Sequence, residues 1–134
     1  NMPVPNGIVP SIDGKTLFVS DSHEKRWRRY TIREDGTLDE GQILFDPKTK
    51  ETQEPDGMSV DAAGNVYVTG RGGIWVVTPA GKSLGHIPIR EFCTNVTFGG
   101  ADGKTLYITC DKKVYSLQMT VAGAQFKARS TEKK

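Results

Sequence analysis

Leu17-Phe18-Val19-Ser20, Val66-Tyr67-Val68-Thr69 and Leu106-Tyr107-Ile108-Thr109 are one pattern written three times in the chain. Column by column they read Leu/Val/Leu, Phe/Tyr/Tyr, Val/Val/Ile and Ser/Thr/Thr. Each run alternates two kinds of side chain, the period-2 signature of a pleated strand. Each also follows a glycine turn: Asp13-Gly14-Lys15, Ala63-Gly64-Asn65 and Asp102-Gly103-Lys104. Eight residues ahead of the turn glycines stand Asn6, Asp56 and Asn95, separated by 50 and 39 residues. That spacing averages near the ~40 to 50 residues of a four-stranded propeller blade.

Working outward, a third strand is read at Tyr30-Thr31-Ile32, Trp75-Val76-Val77 and Tyr115-Ser116-Leu117. A more polar fourth is read at Gln42-Ile43-Leu44-Phe45 and Leu84-Gly85-His86-Ile87. No helical period interrupts them, and the Gly-rich hairpin turns exclude helical or leucine-rich solenoids. The expected fold is all-β: three four-stranded antiparallel blades at about 1–47, 48–88 and 89–124. Residues 125–134 are expected as a last outer strand, opening at Ala124-Gln125-Phe126, or as a disordered charged tail.

Composition narrows the function classes. The 134 residues are 36% hydrophobic and 25% charged, the profile of one soluble globular unit. The formal charge is only +2, so neither nucleic acid nor an anionic membrane is expected as a partner. No apolar run approaches the roughly 18 residues of a membrane span. The start Asn1-Met2-Pro3 lacks the charged and apolar regions of a secretory leader.

The twin stretches Glu54-Pro55-Asp56-Gly57-Met58 and Val4-Pro5-Asn6-Gly7-Ile8 carry the functional signal. Each sets an oxygen-bearing side chain between a proline, which fixes φ, and a glycine, which allows close backbone approach, ahead of an apolar run. An amide oxygen and a carboxylate presented from stiff frames at strand mouths suit a hard divalent cation. Asn6 and Asp56 are therefore the expected metal ligands. Asn95 shares the register but lacks the proline and glycine, so its side chain is expected to bond neighbouring backbone.

These residues resemble a known family. Pro5-Asn6-Gly7, Pro55-Asp56-Gly57-Met58, Gly73-Ile74-Trp75-Val76 ahead of Pro79-Ala80-Gly81-Lys82, Asn95-Val96-Thr97-Phe98-Gly99-Gly100 and Leu106-Tyr107-Ile108-Thr109-Cys110 look like the C-terminal half of gluconolactonases and the related senescence marker protein (regucalcin). The resemblance implies half of a six-bladed β-propeller that hydrolyses sugar lactones with one divalent metal in its central channel. It places metal ligands at Asn6 and Asp56. It implies calcium first, with zinc, magnesium or manganese as alternatives. The family also uses a glutamate from an early blade, which no motif in these residues supplies, so a missing propeller half or a second copy is the implied partner. Asp56 would be both ligand and general base, the catalytic residue; Asn6 cannot take a proton. The alternative class is a non-catalytic calcium-binding or scaffold propeller.

Other features read more plainly. Lys25-Arg26-Trp27-Arg28-Arg29 is answered by Glu34, Asp35, Asp39 and Glu40 and reads as a solvated blade face. Asp21, His23 and Arg71 fall between second and third strands, at the mouth of a propeller. With Asn95 they are secondary candidates for substrate contact, beside turn capping for Asp21 and solvation for His23 and Arg71. His86 stands alone. Cys93 and Cys110 bracket the hairpin centred between Ala101 and Asp102 and are expected as buried thiols, which leans toward the cytoplasm over the periplasm or secretion.

Overall fold

The computed structural model describes residues 1–127. Strands β1 (Pro5–Pro10), β2 (Thr16–Asp21), β3 (Arg26–Thr31) and β4 (Gln42–Phe45) pair antiparallel in chain order. Strands β5 (Met58–Val60), β6 (Val66–Thr69), β7 (Gly73–Val77) and β8 (Ser83–Pro88) repeat that arrangement. The third sheet has only β9 (Cys93–Gly99), β10 (Thr105–Cys110) and β11 (Lys113–Gln118) among the described residues. The three repeated runs are the second strands, as the pattern requires. Their turns close on Gly14, Gly64 and Gly103 at φ of 70°, 91° and 70°, where a side chain is strained.

Three expectations need correction, the last of them the cysteines. The third sheet lacks a fourth strand from Ala124-Gln125-Phe126, because these residues form a short 3-10 turn. The chain after β11 crosses to the second sheet, where Ala62 N–H donates to Ala122 O at 2.8 Å and Gly123 bridges to Asp61, while Gly123 N–H also donates to Gly103 O of the β9–β10 turn at 3.0 Å. The remainder of the expected tail, 128–134, lies outside the described residues. The aromatic column of the third strands is also out of register. Trp75 sits opposite Val68 and Tyr115 opposite Ile108, but the residue opposite Val19 is Arg28; Tyr30 faces Leu17. The cause is the longer first hairpin: Val19 and Arg28 pair nine residues apart, where Val68 and Trp75, and Ile108 and Tyr115, pair seven apart.

The sheets stack through two cores. Phe18, Trp27 and Leu44 of the first meet Met58, Val60, Val66, Val68 and Val77 of the second. The opposite face of the second sheet gives Tyr67 and Ile74 to Val96, Phe98, Leu106 and Ile108 of the third. Strand β6 is thus buried on both faces. The first strands gather at one side, β1 against β5 and β5 against β9. The outer faces stay bare: Ile8 (63% exposed) and Ile43 on the first sheet, Tyr107 and Val114 (69%) on the third.

The cysteines are not thiols. Cys93 and Cys110 face each other across β9 and β10, buried, and form a disulfide. The shift in pairing between Thr109 and Cys110 is what sets the two side chains opposite.

Candidate metal centre

The starts of the three first strands are laced together by hydroxyls from the second strands. Gly7 N–H donates to Ser20 Oγ at 2.7 Å, and Ser20 Oγ donates to Asp56 O at 2.8 Å. Asp56 N–H donates to Thr69 Oγ1 at 3.2 Å, and that hydroxyl donates to Gly57 O at 2.8 Å. Gly57 N–H in turn reaches Thr94 O at 2.8 Å. Both Pro-x-Gly glycines are at points of contact: a Cβ on Gly7 would collide with the Asp56 carbonyl, and one on Gly57 with the Asn95 side chain. Asn6, Asp56 and Asn95 therefore follow one another along a single rim.

Their side chains differ in state. Asn6 is exposed, and its Nδ2 donates to Ser22 Oγ at 3.0 Å. Asn95 Oδ1 accepts from the Val96 N–H at 2.9 Å, the backbone bond expected of it. Asp56 is half-buried, and among the described residues no donor reaches its carboxylate. Burial first, and the negative charge of Glu54 second, push its pKa up from the ordinary aspartate value. A desolvated carboxylate without a positive neighbour, on one rim with an asparagine amide, is a donor set that fits a hard cation. It is only part of a shell: among the described residues no three His, Cys, Asp or Glu side chains gather to hold a metal.

The secondary candidates have structural work. Asp21 is buried and its Oδ1 accepts from the N–H groups of His23 at 3.0 Å and Glu24 at 3.1 Å, the turn-capping role. His23 is exposed in that turn. Arg71 sits at φ 50° and donates to three backbone carbonyls: Glu51 (2.7 Å), Lys25 (3.1 Å) and Thr49 (2.9 Å). It braces the segment leading into Asp56. His86 stacks on Trp75, ring centres 3.8 Å apart. Sequence reasoning missed Ser20, Ser22 and Thr69 as functional supports. The signal was present for two of them, in the Ser/Thr/Thr column at 20, 69 and 109.

The model of the SMP-30/Gluconolactonase/LRE-like region matches residues 1–112. The chain belongs to this family. The gluconolactonase of Zymomonas mobilis is 28% identical over 133 residues, covering 89% of this chain and 36% of its own length. The gluconolactonase structure from Xanthomonas campestris superposes with a TM-score of 0.76 at 28% identity, covering 88% of this chain and 38% of that one. The calcium-binding protein regucalcin from Agrobacterium tumefaciens shares the fold, with a TM-score of 0.75 at 20% identity over 91% of this chain and 48% of that one. The chain thus spans less than half the length of these family members. Their fold is the β-propeller.

Proposed function

We propose that this chain forms three blades of a six-bladed propeller and gives Asn6 and Asp56 to a divalent-cation site where a sugar lactone is hydrolysed. The observation that carries the reading is Asp56, a half-buried carboxylate on the rim with its pKa raised and no donor at its oxygens among the described residues. Family membership supports the reaction class, since relatives are named gluconolactonases. Calcium suits carboxylate and amide oxygens first, and regucalcin is described as calcium-binding; zinc, magnesium or manganese are the alternatives. Calcium takes about 6–8 oxygens, so the other ligands come from water, substrate and the rest of the ring. The bare apolar faces of the first and third sheets support completion by further blades, either additional chain or a second copy.

A bound divalent cation supplies polarisation of a carbonyl and a lowered pKa for water. Asn6 would hold it without adding charge or accepting a proton. Asp56 would take the proton from the attacking water and return it to the ring oxygen that leaves. The products balance: water's oxygen joins the carbonyl carbon, the ring C–O bond breaks, and a hydroxy acid results.

The test is to assay size-separated fractions of the protein for gluconolactone hydrolysis with calcium and with chelator. Activity is expected in species larger than the 14.7 kDa chain and only with calcium. Calcium binding without any lactone hydrolysis in such species would favour the non-catalytic propeller instead.

A further inference from the structure

Ser22 follows β2 directly and is 6% exposed. A serine hydroxyl has one proton to give and lone pairs to accept with. Here the proton goes to the Pro55 carbonyl, 2.8 Å away in a buried bond. Only a lone pair remains for Asn6, 3.0 Å away on the other side. The two ends of an asparagine amide are nearly alike in shape, but only the NH2 end can satisfy that lone pair.

We infer that Ser22 is a positioning residue that decides which end of the Asn6 amide faces the cation site. It holds Nδ2 toward the protein and so commits Oδ1, the only atom of the amide that can ligate a cation, to the other side. The same hydroxyl fastens Asn6 to the carbonyl of Pro55, the residue before Asp56. Ser20 makes the parallel link one repeat along the strand, from Gly7 N–H to the Asp56 carbonyl. Two hydroxyls on alternate residues thus keep residues 6–7 in register with 55–56. The inference rests on the cation site proposed above.

The experiment is calcium titration by calorimetry on the full chain in the assembly it forms. Ser22→Ala is expected to weaken calcium binding about fivefold, the effect of one lost hydrogen bond. Ser22→Thr keeps the hydroxyl and should bind within about twofold of the parent. The decisive background is Asn6→Asp, whose two oxygens are equivalent, so there is no end to choose. In it, Ser22→Ala should change affinity by less than about twofold. An equal loss in both backgrounds, or no loss in either, overturns the orienting role and leaves the cation site standing. If Asn6→Ala itself leaves calcium affinity unchanged, the cation site falls and the inference with it. Should Ser22→Ala fail to fold, nuclear Overhauser contacts between the Asn6 Nδ2 protons and the Ser22 β-protons decide the matter in the parent chain. Their presence is expected, and their absence overturns the inference.

Discussion

Arg71 shows how a residue can hold a site without touching it. Its planar fork serves three carbonyls from two separate segments, which an ammonium on a lysine cannot match. Arg71→Ala should cost about 1–3 kcal/mol, and Arg71→Lys should recover little of it; thermal melts of the three proteins check this. Glu91 carries the clearest pH signature. Hydrogen bonds from Lys113 (2.7 Å) and Tyr115 (2.6 Å) hold its pKa down to about 2. A carboxylate whose folded pKa is depressed adds stability that is present above its ordinary value, 4.5, and lost as pH falls toward 2. Denaturant midpoints measured from pH 6 to pH 2 should therefore fall less steeply for Glu91→Gln than for the parent. The effect is small because Lys113 is exposed to solvent screening. At this scale Asn6 and Asp56 were legible as ligand candidates, since proline and glycine bracket both. Ser22 was not, because its role depends on Pro55, 33 residues away, which no local pattern announces.

At the scale of elements, the second strands were the most legible part of the chain. Alternation, a turn glycine and a shared offset agree there, and consistency across such levels specifies a structure. The third strands were legible in place and not in register, because their alignment passes through connections of unequal length, which sequence columns do not see. The outer position of the third sheet was misread for a different reason. Ala124-Gln125-Phe126 has an apolar end fit for a strand, but Gly123 is captured by Gly103 and bridges to Asp61, which pulls the chain to the second sheet. The cysteine pair was correctly placed across its hairpin and assigned the wrong redox state, since spacing gives proximity and not oxidation. The disulfide closes a sequence separation of 17, and a loop of about 15 residues corresponds to roughly 3 kcal/mol. Adding reductant under mild denaturant should lower the melting temperature by several degrees. An unchanged melt would return both cysteines to buried thiols.

At the scale of the molecule, three sheets packed face to face leave two apolar flanks, one bearing Ile8 and Ile43 and the other Tyr107 and Val114. The rim that carries Asn6 and Asp56 lies where the first strands gather. Fold and candidate site are therefore two consequences of the same repeat: its turns fix the sheets, and its strand mouths carry the ligand candidates. The central claim is that Asp56 both holds a cation and moves a proton, and Asp56→Asn separates the two. The change keeps the shape and one ligand oxygen while removing the charge and the proton acceptor. The measurement is the gluconolactone turnover rate of Asp56→Asn in the completed assembly, taken at a calcium concentration shown to saturate it. The predicted result is a rate lower than the parent's by on the order of 10² or more. Full turnover at saturating calcium would contradict the claim and leave Asp56 a ligand alone.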